Sequence, residues 1–219
     1  MKMRNVFLLG IIAIILISSC KKEEETPPPP PPIKSPDYTP LTIGNYWVYN
    51  NYSIDSLNNE TLLPNIDSLI VDRDTVIGGH TYYIIEGIKY PIYQNWGIVR
   101  IVRDSADCLV TNKGHILFSS SNFSDILREK IEILNSDTLY ILQYKMEKLS
   151  GSIDVPAGTF NNIYNYKGTL YTKVPNSVVD NPRYLDNYYA PDVGEVLNTW
   201  YILMRPITYQ KRLVRYNIQ

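Results

Sequence analysis

One stretch decides the fold class of this chain: Asp74-Thr75-Val76-Ile77-Gly78-Gly79-His80-Thr81-Tyr82-Tyr83-Ile84-Ile85. Two runs rich in β-branched and aromatic residues flank a pair of glycines, an order that is typical of two antiparallel strands joined by a two-residue turn. Residues 81–85 are mostly apolar or aromatic on both alternating faces, whereas a strand with one wet face would alternate with polar residues. The stretch therefore predicts a hairpin in a sheet that is covered on both sides.

Similar runs continue along the chain and predict ten strands. Their predicted ranges are residues 46–54, 68–77, 81–88, 97–103, 108–111, 115–119, 138–145, 163–173, 195–203 and 210–216. A second tight turn is predicted at residues 112–114, with Gly114 in the left-handed conformation. Residues 124–134, with Ser124 as N-cap, are the best helix candidate and fit a strand equally well.

Few helices are available to cover a second face of the sheet. We therefore predict a mainly β fold, an antiparallel sheet with at most one or two short helices, which curls into a half-barrel, a barrel or a sandwich. An internal apolar cavity is one consequence that such a curled sheet allows.

The N-terminal segment has the pattern of an export signal. Lys2 and Arg4 precede an apolar run at residues 6–17, which is too short to span a bilayer comfortably. The run ends in Leu16-Ile17-Ser18-Ser19-Cys20, which resembles the lipobox of bacterial lipoproteins. The resemblance implies that residues 1–19 are a lipoprotein signal peptide and that Cys20 carries the lipid that anchors the chain to a membrane.

A charged and proline-rich segment follows Cys20. Two lysines and three glutamates at residues 21–25 precede six prolines at residues 27–32, so residues 20–37 are predicted to be a linker. Residues 38–219 contain no second proline tract and no repeat, and they are predicted to form a single β-rich domain. The formal net charge of −1 becomes −3 when Lys2 and Arg4 leave with the signal, which argues against nucleic acid as a partner.

Four landmarks occur along the chain in a fixed order. They are Leu41-Thr42-Ile43-Gly44-Asn45-Tyr46-Trp47-Val48-Tyr49, the stretch 74–83, Val155-Pro156-Ala157-Gly158-Thr159-Phe160 and Tyr188-Tyr189-Ala190-Pro191-Asp192-Val193-Gly194. This order resembles a family of Bacteroidota lipoproteins that has no assigned chemistry. The resemblance implies an antiparallel β domain on an outer-membrane lipoprotein, with a half-barrel of the lipoprotein-carrier type as one form.

The acidic residues 23–25 also resemble the signal that sends lipoproteins of that phylum to the outer leaflet of the outer membrane. The alternative is a solvated linker on a protein that faces the periplasm. Both locations, cell surface and periplasm-facing, stay open at this point.

Five positions match the pattern Asp, then Ser or Thr, then an apolar residue, in which bacteria of this phylum carry O-linked glycans. They are Ser56, Ser68, Thr75, Ser105 and Thr138. The same pattern also occurs where a turn enters a strand, because the Asp side chain caps the turn. Glycosylation and turn capping are therefore both open at these positions.

No catalytic constellation stands out in the sequence. His80 and His115 each follow a turn glycine, and this spacing does not favour a metal pair. Cys108 is interpreted as a small buried apolar residue. We predict no catalytic residue, no metal and no cofactor, so the chain is not expected to be an enzyme. A carboxylate-based hydrolase ranks third among the functions, because two acids brought together by folding leave no local motif.

The chain has nineteen tyrosines and three tryptophans, and exposed aromatic side chains bind sugars and protein partners. Tyr184, Tyr188 and Tyr189 fall in a predicted loop between Pro182 and Pro191, and we predict a recognition surface there. The leading hypothesis is a non-enzymatic binding module for a partner protein, a glycan or an apolar ligand. The alternative is a carrier of lipid or another apolar ligand that uses a half-barrel cavity, and a cavity lined by tyrosine, isoleucine and leucine would favour it.

Overall fold

The computed structural model describes residues 36–88, 95–174 and 181–219. Strands in these ranges are β1 Tyr46–Ile54, β2 Glu60–Ile77, β3 His80–Ile88, β4 Trp96–Ser105, β5 Cys108–Thr111, β6 Ile116–Ser119, β7 Arg128–Leu134, β8 Asp137–Lys148, β9 Ile153–Val155, β10 Gly158–Phe160, β11 Tyr164–Thr172, β12 Arg183–Leu185, β13 Asn187–Ala190, β14 Gly194–Tyr201 and β15 Thr208–Asn217. The described ranges contain no helix, so none there is long or apolar enough to cross a membrane. The prediction of a mainly β fold is confirmed.

Thirteen of these strands form one antiparallel sheet. Its order is β6-β5-β4-β3-β2-β1-β15-β14-β13-β11-β8-β7, and β12 pairs with β11 beside this path. The strands β9 and β10 form a separate hairpin, and the Ala157 N–H at its turn donates a 2.9 Å hydrogen bond to the carbonyl of Leu213 on β15. Most neighbours in the large sheet are also neighbours in sequence, which is the pattern of a meander of hairpins.

Strands that are distant in this order meet across the inner face of the sheet. The Tyr166 hydroxyl on β11 donates a 2.7 Å hydrogen bond to the carbonyl of Ile116 on β6. The ring of Phe118 on β6 lies 4.8 Å from that of Tyr189 on β13, centroid to centroid. Register shifts in β1 and β2 add local twist of the kind that closure needs. The sheet therefore curls into a nearly closed barrel, one of the three forms predicted.

Both predicted glycine turns are present. Gly78 and Gly79 have φ values of 58° and 79° and connect the paired residues Ile77 and His80. Gly114 has a φ of 79°, and the Thr111 N–H donates to the carbonyl of His115 across that three-residue turn. The left-handed conformation is open to glycine at little steric cost, which is why these positions fix two hairpins.

The helix candidate at residues 124–134 is wrong, and the strand alternative is correct. Residues from Arg128 onward form β7, which pairs with β8. The two strands are joined by Asn135 and Ser136, which both have positive φ and make a two-residue hairpin turn. The pairing with β8 supplies the backbone hydrogen bonds, and Ile133, which breaks the helical face, fits the alternation of a strand.

Other strand ranges agree with the sequence to different extents. The predicted ranges of β1 and β5 are those observed, whereas β2 begins at Glu60 and not at residue 68. The short strands β9, β10, β12 and β13 were not predicted. β12 and β13 occupy the segment that was predicted to be a loop between Pro182 and Pro191.

The apolar core fills one end of the barrel interior. Tyr38 leads the chain into this end, and its ring stacks on Tyr164 at 4.4 Å and on Phe118 at 5.6 Å between centroids. The indole N–H of Trp47 donates a 2.6 Å hydrogen bond to the carbonyl of Val193. Burial of large side chains of this kind stabilises the fold by about 1.5–3 kcal/mol each.

Candidate functional site

A row of polar residues crosses four neighbouring strands farther along the barrel. The strand register places Asn51 on β1 opposite Lys211 on β15, Lys211 opposite Asn198 on β14, and Asn198 opposite Asn187 on β13. Directly paired residues of neighbouring strands lie on the same face of a sheet. Asn51 and Asn187 are buried, so the row lies on the inner face and makes this part of the interior polar.

An ion pair bridges the interior next to this row. Arg100 on β4 and Glu195 on β14 are separated by four strands in the sheet, yet Arg100 Nη2 lies 3.1 Å from Glu195 Oε2. Asn198 Nδ2 donates a 2.8 Å hydrogen bond to the other carboxylate oxygen, Oε1. Only 7% of the Glu195 side chain and 25% of the Arg100 side chain are exposed, so the pair is sheltered from water.

The electrostatics of this pair follow from its burial and its partners. Burial raises the pKa of Glu195, but the attraction of Arg100 and Lys211 outweighs burial, and the pKa falls below its ordinary value. The attraction of Glu195 is the main cause that raises the pKa of Arg100. Burial raises the pKa of Tyr49 and of Tyr189 well above the ordinary value of 10. At neutral pH an ionised pair therefore lies beside two uncharged tyrosines.

A second pair of opposite charges joins Lys211 of the polar row to Asp67 on β2. Lys211 Nζ is 3.8 Å from Asp67 Oδ2, and only 3% of the Asp67 side chain is exposed. Burial lowers the pKa of Lys211, and the attraction of Glu195 and Asp67 opposes this effect. The carboxylates of Asp67 and Glu195 therefore both attract Lys211, and they balance its charge inside the barrel.

Side chains from seven strands line a cavity of about 190 Å³ at this polar part of the interior, which we call the polar cavity. Its polar lining consists of Arg100, Arg128, Tyr144, Tyr166, Asn187, Tyr189, Glu195 and Asn198. Leu117 on β6 completes the wall. The cavity holds several times the volume of one water molecule, which is about 30 Å³ in the liquid.

Two stacked tyrosines form one wall of the polar cavity. The rings of Tyr144 and Tyr166 lie 4.6 Å apart at an interplanar angle of 5°, and the Arg128 guanidinium carbon lies 5.9 Å from the centre of the Tyr144 ring. Gly168 makes room for this arrangement, because a Cβ there would lie 2.8 Å from Tyr144 Cε1. The Tyr166 hydroxyl is held by the carbonyl of Ile116, so that ring has a fixed position.

The polar cavity contains several kinds of polar group. It brings guanidinium, amide, carboxylate and phenol groups together in a sheltered place. Among its lining residues Glu195 is the one carboxylate, and its lowered pKa keeps it ionised and paired with Arg100.

A small apolar void lies on the other side of the Arg100–Glu195 pair. Its volume is about 40 Å³, and Leu41, Trp47 and Leu69 are among the residues that line it. Pockets for ligands of drug size have roughly 300 Å³ or more. The void is far too small for a lipid chain.

An acidic cleft of about 280 Å³ borders the core between Asp37, Asp104 and Asp107, next to Cys108. Burial raises the pKa of Asp104, a hydrogen bond from Thr39 lowers it, and the charge of Asp37 raises it. No group of three or more ligating side chains within residues 36–88, 95–174 and 181–219 could hold a metal ion. Cys108 is half-buried at the start of β5 and is not a core residue, because it borders this cleft.

The three tyrosines of the predicted recognition surface do not lie together on one surface. Tyr184 on β12 is 47% exposed, whereas Tyr188 is half-buried and Tyr189 is only 4% exposed. Tyr189 points to the inside and lines the polar cavity, so it cannot belong to a surface. The prediction of a surface loop is wrong because pairing of β13 with β11 and β14 turns alternate side chains inward.

The candidate glycosylation sites are distributed over several elements. Ser56 is exposed in the turn between β1 and β2, where the Asp55 side chain accepts hydrogen bonds from the N–H groups of Leu57 and Asn59. The remaining positions are half-buried: Ser68 and Thr75 in β2, Ser105 at the end of β4 and Thr138 in β8.

The other residues singled out from the sequence are also spread out. His80 and His115 are exposed beside the two glycine turns, as expected from their positions. Cys20, the predicted signal peptide at 1–19 and almost all of the linker at 20–37 lie outside the described residues.

Sequence reasoning did not find Arg100, Arg128 or Glu195. They belong to no local motif, and Arg100 and Glu195 are far apart in sequence. One signal was available: Arg100 stands alone within Ile98-Val99-Arg100-Ile101-Val102, and a single charge inside an apolar strand indicates a buried partner.

No protein-family model matches the chain, and no curated protein is similar to it. Two solved structures are similar to the chain. One is a protein of Bacteroides fragilis described as exported and of YmcC-like fold, with a TM-score of 0.47 and 13% identity. The other is a protein of Parabacteroides distasonis described as a lipoprotein, with a TM-score of 0.41 and 14% identity. Each match covers 84% of this chain and 100% of the other.

Proposed function

We propose that this chain is a lipid-anchored, non-enzymatic binding protein whose barrel takes a small polar ligand, such as one sugar unit of a glycan, in the polar cavity. The polar cavity itself carries this proposal, because side chains from seven strands converge on one sheltered volume of about 190 Å³. A concave site with a few converging polar groups is the usual form of a ligand site. Its volume suits a small ligand or the end group of a longer one.

The two other candidate functions have less support. A carrier of lipid or another apolar ligand would use an apolar cavity, and the apolar void next to the core holds only about 40 Å³. A carboxylate-based hydrolase would use two facing acids. One carboxylate lines the polar cavity, so such a pair would have to come from Asp37, Asp104 and Asp107 of the acidic cleft. Tyr184 is exposed, so binding of a protein partner to the outer surface stays open as a further function.

The lipid anchor is proposed on the sequence Leu16-Ile17-Ser18-Ser19-Cys20. Mass spectrometry of the mature N-terminus should find acyl chains on Cys20, and Cys20→Ala should release the protein from membranes. An unmodified N-terminus at another residue would contradict the anchor.

The proposed location is the outer membrane, at the cell surface or facing the periplasm. Protease added to intact cells separates the two, because only a surface-exposed domain is digested. Replacement of Glu23, Glu24 and Glu25 by alanine should protect the domain if these residues direct it to the surface. Digestion that requires lysis of the cells would place the domain in the periplasm.

Ligand binding can be tested by calorimetry with the full chain in detergent micelles. D-glucose, N-acetylglucosamine and D-glucuronate serve as polar probes, and pyrene serves as an apolar probe. At least one polar probe should bind with millimolar affinity or better, and pyrene should not bind in a saturable manner.

Two variants place the binding in the cavity. Leu117→Trp fills the polar cavity from β6 and should abolish binding of the polar probe, whereas Leu134→Trp adds the same side chain at an exposed position on β7 and should leave binding unchanged. The proposal fails if no polar probe binds or if Leu117→Trp binds as well as the wild type. Saturable binding of pyrene would favour the carrier.

A further inference from the structure

One positive charge of the polar cavity is not balanced by a carboxylate of the lining. Arg100 is paired with Glu195 at 3.1 Å. Arg128, on the same cavity wall as Tyr144, forms no salt bridge with any carboxylate of the part of the chain that the structure describes. The charged residues that line the cavity are therefore two guanidinium groups and one carboxylate.

The Tyr166 phenol interacts with the Arg128 guanidinium, and this partner is uncharged, so it does not balance the positive charge. Arg128 begins β7, the edge strand of the sheet, and its backbone pairs with Tyr144 of β8. Its guanidinium carbon lies 5.9 Å from the centre of the Tyr144 ring, so the ring orients the group without neutralising it. The stacked neighbour Tyr166 keeps that ring in place beside the guanidinium.

The second guanidinium reinforces the first. Arg100 directs Nη2 to Glu195, and a guanidinium carries five N–H donors, more than this ion pair uses. Lys211 is not the source of an excess charge, because Asp67 and Glu195 both act on it. The positive excess is therefore located at Arg128, with Arg100 lining the same cavity.

We propose that the polar cavity binds an anionic group of its ligand, a carboxylate or a phosphate, through Arg128 with support from Arg100. This inference rests on the proposed function and names the ligand class of the same site. The planar guanidinium fork matches both anions in geometry, and such charge-assisted hydrogen bonds are about twice as strong as neutral ones. A ligand anion would also balance the charge of the cavity lining.

The test compares probes that differ by one charged group. D-glucuronate and glucose 6-phosphate each add an anion to the ring of D-glucose, and acetate and inorganic phosphate supply the anions without a sugar. With the full chain in detergent at low salt, both sugar anions should bind about tenfold more tightly than glucose. The difference should shrink as salt is added, because ions screen the attraction.

Variants assign that difference to Arg128. Arg128→Gln should reduce the affinity for glucuronate to that for glucose, and Arg128→Lys should retain part of it. Arg215→Gln removes an exposed arginine from β15 and should change nothing. Circular dichroism and the melting temperature show whether each variant is folded.

Each outcome decides a different point. Equal binding of glucose and both anions, removed by Leu117→Trp, overturns the anion inference and leaves the proposed function in place. Tight anion binding that persists in Arg128→Gln overturns the assignment to this residue. Failure of every probe overturns both proposals. Binding of acetate or phosphate that is lost in Arg128→Gln supports the anion site and shows that the sugar ring adds little.

Discussion

The buried ion pair makes the most specific stability prediction. Arg100→Met leaves Glu195 charged, 7% exposed and without its nearest cation. Removal of one partner of a buried pair costs about 3–5 kcal/mol. Asn198 still donates to the carboxylate at 2.8 Å, and Lys211 still attracts it, so the lower end applies. We expect the free energy of unfolding to fall by about 3 kcal/mol.

Urea unfolding at pH 7, followed by tryptophan fluorescence, measures this loss. The matched control is Arg73→Met, because Arg73 on β2 is 50% exposed and pairs with Glu86 at 3.0 Å. An exposed pair contributes at most about 1 kcal/mol. The double variant Arg100→Met/Glu195→Gln removes the unpaired charge and should be more stable than Arg100→Met alone.

The pH dependence checks the same reasoning. The pKa of Glu195 is lowered in the folded state, so the pair contributes stability above the ordinary pKa of 4.5 that is lost as pH falls through the folded pKa. Arg100→Met should weaken this loss of stability at low pH. Without Arg100, burial disfavours the charged form of Glu195 and raises its pKa in the folded state. Equal costs for Arg100→Met and Arg73→Met, or a double variant no more stable than Arg100→Met, would refute the description of the pair as buried and coupled.

Three further outcomes are expected. Gly79→Val should cost about 1–3 kcal/mol in thermal unfolding, because it forces a β-branched residue to a φ of 79°, whereas Gly151→Val should cost much less in its open loop. Tyr49→Phe should lose less stability than the wild type as pH rises above 10, because the raised pKa of Tyr49 gives stability that is present below pH 10 and lost above it. Gly168→Ala should displace the Tyr144 ring, whose Cε1 would lie 2.8 Å from the new Cβ, and calorimetry should show weaker probe binding.

The hairpins could be predicted because their signals are local. Gly78-Gly79 and Gly114 specify positive φ, which few other residues adopt, and the flanking runs have the period of a strand. The first part of β2 was missed because Pro64 cannot donate to a ladder and argues against a strand. The structure accommodates Pro64 where the pairing of β1 with β2 is irregular, between Asn50 and Tyr52.

The polar cavity could not be predicted in the same way, because its geometry depends on long-range register. Asn187 and Asn198 are ordinary strand residues until pairing places them opposite each other and next to Lys211. Arg100 and Glu195 meet only when the sheet closes, and no spacing within a window of sequence encodes that closure. A lone charge in an apolar strand indicates that a partner exists, but the identity of that partner is set by the curl of the whole sheet.

The composition of the interior gives a reason to regard the polar cavity as functional. A barrel of this size can fill its interior with apolar side chains, as the end around Tyr38 and Trp47 does. Replacement of a buried ion pair by well-packed apolar residues is often neutral or stabilising, so apolar packing is an alternative to the Arg100–Glu195 pair at this place. The polar row and this pair occupy interior positions that apolar side chains could fill, and these positions lie next to the polar cavity. Buried charges with shifted pKa values concentrate at functional sites, and the unbalanced guanidinium of Arg128 is the feature on which the proposed anion site rests.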